Sequence, residues 1–367
     1  MKIAFLGDVA LFGRNTCRNS VIGQKLNDVS KFLNGFDIVV ANLEAPFTTS
    51  NTVIGGKSAY IKSDPTDIEI LKMLNISVVN LANNHIFDFG LNGYESTIDS
   101  LEKSNIRHFG VENNVVNIEK DEERLCFAGV CSFTTNPKGV IGQPNGIIDS
   151  YNLDIVLKRM KESREKGYFN VLSVHSGLEH VNYPSLEDVD AARLLSQDGP
   201  FIYYGHHPHV IQGVEELGGS LIAYSLGNFL FDDVYTSKSQ KPLVSLSENN
   251  RLGMILTVEI LDGGIVNSEQ VLVYNDDNNL RILDREADSQ FYDLLCKYSS
   301  KLQFERDVYE KERQALLDRH LDSRKAMRNI PWYLKRLNFD TLRMIRSAKV
   351  NAKLQRENIT IYLSKRT

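Results

Sequence analysis

The chain has 367 residues, 42% apolar and 24% charged, with a formal net charge of −5, the composition of a water-soluble protein with a substantial core. Its first apolar run, Ile3 to Leu6, stops at Gly7-Asp8, too short for a secretory leader, and no run approaches the length that spans a bilayer. Cys17, Cys126, Cys131 and Cys296 form no C-x-x-C pair, so free thiols and a cytoplasmic location, or one peripheral to the inner face of the membrane, are expected.

Charge is unevenly spread. From Lys297 to Thr367 there are 18 Lys/Arg against 8 Asp/Glu, a net of +10, which leaves the preceding residues at −15. An acidic body with a basic C-terminal segment suggests two parts, divided here at 1–285 and 286–367.

In chain order, Ile3 to Leu6 reads as a buried strand, residues 20–34 as a helix with apolar positions three and four apart, and Asp37 to Glu44 as a second strand. A loop follows to Tyr60, then a helix over Asp67 to Leu74 opened by Ser63-Asp64-Pro65. The strand Ser77 to Ala82 runs into Asn83-Asn84-His85. A helix over Gly93 to Ser104 and a strand over Arg107 to Val111 come next, and Arg124 to Val130 and Val140 to Ile148 bracket a loop. The helix Asp154 to Lys166, the strand Phe169 to Val174, the helix Leu186 to Gln197 and the strand Phe201 to Tyr204 repeat the alternation. Leu221 to Asn228 reads as one further strand, and Met254 to Leu261 with Val266 to Tyr274 as a hairpin about Asp262-Gly263-Gly264. Glu286 to Lys325 reads as helix, broken at Ile330-Pro331 and resumed over Asp340 to Gln355. Strands alternating with helices indicate an α/β layered fold.

The polar residues fall at the strand ends. Asp8, Glu44, Asn84-His85, His175 and His207/His209 each follow an apolar run by a residue or two. Open α/β sheets hold their ligands at such carboxyl ends. The stretch Gly205-His206-His207-Pro208-His209 places three of eight histidines within four residues. An extended backbone would point His207 and His209 to one side, where two imidazoles can serve one metal centre. Gly55-Gly56-Lys57-Ser58 resembles the end of a phosphate-binding loop but lacks the earlier glycine and a following helix, so no such loop is assigned.

Gly7-Asp8, Asn42-Leu43-Glu44, Asn83-Asn84-His85-Ile86-Phe87-Asp88, His175-Ser176-Gly177-Leu178-Glu179, Gly205 to Val210 and Ser225-Leu226-Gly227-Asn228 together resemble the CapA family, associated with capsule and poly-γ-glutamate synthesis. That family is similar to the calcineurin-like metallophosphoesterases. The resemblance covers roughly residues 1–235. It implies a four-layer α/β-β/α sandwich, here with an appended helical C-terminal segment, and a site for two divalent metal ions. Asp8 and His209 would bind the first ion, Asn84, His175 and His207 the second, with Glu44 bridging. This donor set suits Mn, Fe or Zn, and two such ions stabilise an in-line displacement. His85 would protonate the leaving oxygen, with Asp88 orienting its ring. Arg14, Asn42, Glu179 and Asn228 are assigned to substrate binding. Arg14 would act as an anion clamp or stand as a surface arginine. Asn228 would bind substrate or cap a turn, and Glu179 would serve as ligand or base or hold His175.

Two departures stand out. Ala10 occupies the place of a superfamily histidine, so the first ion is one ligand short unless Glu179 or water fills in. Glu44 replaces a shorter aspartate. The leading expectation is a metal-dependent hydrolase cleaving a phosphoester or related bond in a phosphorylated or anionic polymer-related substrate. The alternatives are a poly-γ-glutamate component acting on an amide or acyl phosphate, and a non-catalytic metal-stabilised scaffold. The basic tail, with Leu342, Ile345, Ala348 and Leu354 among Arg343, Arg346, Lys349 and Lys353, would dock on the acidic body, on a protein partner or on an anionic membrane surface. No nucleic-acid motif is present.

Overall fold

The computed structural model describes residues 1–54, 57, 59–137, 146–235, 240–326 and seven helical positions between 339 and 353. The first part of the chain builds β1 (Lys2–Val9), α1 (Ile22–Leu33), β2 (Ile38–Leu43), α2 (Ile68–Met73), β3 (Val78–Asn80), α3 (Gly90–Lys103) and β4 (Arg107–Phe109). β1 to β4 are parallel neighbours in that order. A second sheet follows, from β5 (Val116–Lys120), β6 (Glu123–Cys131), α4 (Leu153–Glu165), β7 (Phe169–His175), α5 (Leu186–Ser196), β8 (Phe201–His206), β9 (Val214–Leu217) and β10 (Ser220–Ala223). The chain then returns to the first sheet. β11 (Asn228–Leu230) pairs with β1 in parallel. After the single turn α6 (Glu248–Arg251), β12 (Leu252–Leu261), β13 (Gly264–Asn275) and β14 (Leu280–Ile282) extend the sheet from that same edge of β1, opposite β2. Last come α7 (Ser289–Lys301) and α8 (Arg306–Ala326).

The two-residue period of the strands makes the layers. Ile3, Phe5, Ile38 and Val40 face Leu125, Phe127, Val171, Ile202 and Tyr204 of the other sheet. Ala4, Leu6, Val39 and Ala41 face the opposite way, onto Ile22, Leu26, Val29 and Leu33 of α1 and onto Tyr94 and Leu101 of α3. On the outer face of the second sheet, Leu172, Val174 and Tyr203 meet Val156, Met160, Val189 and Leu195 of α4 and α5. Buried on both faces, the parallel strands read as near-continuous apolar runs. Helix, sheet, sheet and helix are therefore stacked as expected, with Phe5 against Tyr204 at 4.7 Å between ring centroids across the middle.

Three readings are corrected. The strand expected over Leu221 to Asn228 is broken into β10 and β11, which lie in different sheets. The chain crosses between sheets at residues 224–227, where Gly227 has φ +66°, a turn that periodicity does not reveal. The helix expected over Glu286 to Lys325 is two helices, α7 and α8. β5, β9 and β14 are short strands missed because each carries few apolar residues and has a single buried position. Most of Val140 to Ile148 and of the segment from Ile330 onward lies outside the described residues. The start of the basic extension packs on the body: Leu295 joins the core between the sheets, Leu302 and Tyr309 join the outer core, and Arg306 pairs with Asp190 at 2.6 Å.

The crossing segment needs close backbone approach at two glycines. A Cβ on Gly7 would collide with the Gly227 carbonyl, and one on Gly205 with the Tyr224 carbonyl. These are the strand positions next to Asp8 and His206. Gly205→Ala is expected to destabilise the fold by about 3 kcal/mol, since backbone cannot yield as a side chain does. The check is a lower urea midpoint with unchanged slope; a variant melting with wild type would show that residues 224–227 can shift.

Candidate metal centre

The carboxyl ends of the two sheets meet at one edge, and the strand-end residues converge there. Asp8 and Glu44 stand at the ends of β1 and β2, Asn84 follows β3, His175 closes β7, and His207 and His209 follow β8. Donor atoms of Asp8, Glu44 and His209 lie within 4.8 Å of one another. Glu44 Oε1 is 3.6 Å from His209 Nε2 and 4.0 Å from both His175 Nε2 and His85 Nε2. His175 Nε2 is 2.9 Å from Asn84 Oδ1, and the His175 and His207 rings are 5.0 Å apart.

Local structure sets these positions. Asn83 Oδ1 accepts from the backbone N–H of His85 (3.0 Å) and Ile86 (2.9 Å), an Asx turn that throws Asn84 and His85 inward. The loop after β8 is not extended, contrary to expectation. His207 has φ +95° and His209 φ +56°, a backbone region that costs non-glycine residues energy and persists where the surroundings enforce it. Both rings still reach the centre, through a tight turn rather than strand alternation.

The charge balance favours cations. Both Glu44 oxygens, His175 Nδ1 and His207 Nδ1 are buried with no hydrogen-bond partner, a costly state without a bound group. Burial and the neighbouring Asp8 push the Glu44 carboxyl up to about 8. Burial, reinforced by neighbouring imidazoles, drives His207 down to about 3 and carries His175 well below its ordinary value. For His209, burial lowers the imidazole, but Glu44 and Asp8 outweigh it and hold it up at about 10. Burial would also raise Asp8, yet His206 and His209 hold it well below the carboxylate range. Two carboxylates, one amide oxygen and three imidazoles, with orphaned lone pairs among them, fit divalent ions of the Mn, Fe or Zn kind. Asp8, Glu44 and His209 would hold one, and Glu44, Asn84, His175 and His207 the other. Ala10 lies buried in an apolar cluster with Ala45, Ile61 and Phe231, so that position adds no ligand.

Beside this set, His85 Nδ1 is 2.7 Å from Asp88 Oδ2, the expected orientation. Lys57 joins them, with Nζ 2.6 Å from Asp88 Oδ1 and 3.0 Å from His85 Nδ1. Its significance was invisible in the sequence, because only the return of the 45–64 loop brings it there.

Three residues assigned to substrate are placed elsewhere. Asn42 is fully buried and donates to Asp8 Oδ1 at 2.8 Å, while its own oxygen accepts from Asn80 at 3.0 Å. Asn228, also buried, sits 2.9 Å from His209 Nδ1 and donates to the Asn250 carbonyl at 3.0 Å. Both hold the side chains of Asp8 and His209 instead of meeting solvent. Arg14 is held by Asp232, with Nε at 3.0 Å, and by Asp277; acidic neighbours more than two hundred residues away satisfy it as an anion would. Glu179 is half-buried beside the centre and acts electrostatically on His207 and His209. His206, not assigned from sequence, is fully buried with Nδ1 3.0 Å from Asp8 Oδ1.

A family model described as bacterial capsule synthesis protein PGA_cap matches residues 2–233. The chain belongs to this family. Every residue of the centre falls inside the matched stretch, and α7 and α8 fall outside it. The PGA biosynthesis protein CapA of Bacillus subtilis is 29% identical over 257 residues, which is 66% of this chain and 67% of that protein. The capsule biosynthesis protein CapA of Bacillus anthracis is 28% identical over 230 residues, 59% of this chain and 56% of that one. The chain thus spans little more than half to two thirds of these PGA_cap relatives. The solved NAD nucleotidase of Haemophilus influenzae superposes with a TM-score of 0.43 at 14% identity, over 87% of this chain and 60% of that one, too distant to argue from. No helix among the described residues is long and apolar enough to cross a membrane.

Proposed function

We propose that this chain is a divalent-metal-dependent hydrolase that cleaves a phosphoester or related bond in capsule or cell-surface polymer metabolism. The observation that carries the reading is Glu44, whose two buried oxygens have no hydrogen-bond partner and face three imidazoles at 3.6 to 4.0 Å. Bound ions would supply charge stabilisation for the displaced oxygens and a nucleophile available at neutral pH. The chain's own residues do the rest. Asn42 fixes Asp8, Asn228 fixes His209, and His85, oriented by Asp88, delivers a proton to the leaving oxygen from Nε2. The names of the CapA relatives favour a second reading, in which the bond is an amide or acyl phosphate of a poly-γ-glutamate chain. The exposed Leu342 and Ile345, beside exposed Arg346, Lys349 and Lys353, leave the basic tail available to an anionic surface or protein partner at the inner face of the membrane.

The test is elemental analysis after manganese loading, for wild type beside His207→Ala. Wild type is expected to hold about two ions per chain and the variant no more than one, followed by turnover on phosphomonoester and phosphodiester chromogens in the loaded wild type. An empty wild-type protein would overturn both metal-dependent readings, hydrolase and metal-stabilised scaffold, in favour of a metal-free binding module.

A further inference from the structure

Lys57 belongs to no strand or helix, yet its side chain is 6% exposed, unusual for an ammonium unless every proton is placed. Its Nζ donates to the Asn84 backbone carbonyl at 2.6 Å and to Asp88 Oδ1 at 2.6 Å, and lies 3.0 Å from His85 Nδ1. An ammonium has three N–H donors and no acceptor: Asn84 and Asp88 take two of them, and His85 Nδ1 takes the third when it is the acceptor. His85 Nδ1 either donates to Asp88 Oδ2 at 2.7 Å or accepts from Lys57. In both cases the ring is pinned on that side and Nε2 is left facing Glu44.

The same loop is tied down at other points. Ser63 N–H donates to the Pro46 carbonyl and Thr48 N–H to the Ser63 carbonyl, each at 2.9 Å, closing its base. Ile54 N–H donates to the Asp88 carbonyl and Ile61 N–H to Asp88 Oδ2, both at 3.1 Å. Asp88 is therefore a hub between the 45–64 loop and the Asn84-His85 turn, and Lys57 supplies the cation that lets its carboxylate stay ionised while buried. Burial alone would raise Asp88, but Lys57 and His85 hold it below its ordinary value. The direct partners of Lys57 Nζ are Asn84, Asp88 and His85, not Asp8 or His209.

We propose that Lys57 is a positioning residue for one half of the metal centre: it clamps the backbone of Asn84 and the ring of His85, and so sets the affinity of the ion that Asn84, His175 and His207 hold. This rests on the reading that two ions bind there. Partners that orient a metal ligand through a hydrogen bond typically change affinity by about 10–100-fold when removed.

The experiment is a calorimetric manganese titration of the metal-stripped full chain, without substrate, for wild type, Lys57→Met and two markers, Asn84→Ala and His209→Ala, which identify the two sites. Lys57→Met is expected to weaken one of two binding events by about 10–100-fold, the same one that Asn84→Ala weakens, leaving the event that His209→Ala weakens untouched. Lys57→Arg, which keeps the charge, is expected to recover part of the loss. Unchanged affinities, or equal weakening of both events together with a lowered melting temperature, would overturn the proposal, the second outcome marking Lys57 as structural only. Should Lys57→Met fail to fold, Lys57→Gln is read by the same criteria. Wild type binding no manganese would instead overturn the two-ion reading, and the role of Lys57 with it.

Discussion

Glu44→Gln should be more stable than wild type in chelator at pH 8 and less stable in manganese. The folded Glu44 carboxyl is pushed up to about 8, from an ordinary 4.5, by burial first and then by Asp8. Between those values the folded chain keeps a proton that the unfolded chain has released. Stability from this group is thus fully present below about pH 4.5 and is lost as pH rises towards 8. Glutamine has no such loss, so the gap between variant and wild type should open over that window. At about 1.4 kcal/mol for each unit of pKa difference, it reaches a few kcal/mol. His209 loses one of its two carboxylate neighbours in the variant but keeps Asp8 at 3.2 Å, which trims the gap without reversing it. Manganese reverses the order. Two ions, each at about 1,000 times its dissociation constant, add about 8 kcal/mol to the protein that binds both, more than the gap, and a neutral amide cannot bridge two cations as a carboxylate does. The check is chemical denaturation of both proteins from pH 5 to 8, in chelator and in manganese. A variant less stable than wild type in chelator at pH 8 would mean that Glu44 is satisfied by something other than metal.

The residues that converge at the strand ends were legible in the sequence for a physical reason. A parallel strand buried on both faces must be apolar until it emerges at its carboxyl end, so a ligand there is the first polar residue after a run. Asp8, Glu44, His175 and the 207–209 histidines all announce themselves in that way, and the structure brings them within reach of one another. What stayed hidden depends on chain segments far apart in sequence. Asn42 and Asn228 look like exposed strand tips, yet each is covered by a residue from another element, Asn80 for one and Asn250 for the other. Arg14 looks like an anion clamp because nothing local shows Asp232 and Asp277 arriving to meet it. The break between β10 and β11 is set by where two sheets abut, and Lys57 by how a loop folds back. Neither leaves a period in the sequence.

Changing His85 to Asn should separate chemistry from metal binding. His85 Nε2 is 4.0 Å from Glu44 Oε1 while Nδ1 is engaged by Asp88 and Lys57, so Nε2 faces Glu44 and would face the ions that Glu44 is proposed to bridge. A proton delivered from such a group is worth about 10²–10⁴ in rate. His85→Asn is therefore expected to keep the wild-type metal content and to lose about two to four orders of magnitude in kcat, with a smaller change in KM. The deficit should shrink for substrates whose leaving group is already a good anion, such as a nitrophenolate, because these need no proton. Asp88→Asn should lose less, since the ring remains but is held only from the loop side. Metal content, kcat and KM measured with one activated and one unactivated ester would decide the matter. Equal losses with both esters would remove His85 from the acid role, and a variant as active as wild type would favour the scaffold over the hydrolase. If His85→Asn also lost an ion, the histidine would instead belong with Asn84, His175 and His207 as a ligand, and Lys57 and Asp88 would then act on the metal through two residues rather than one.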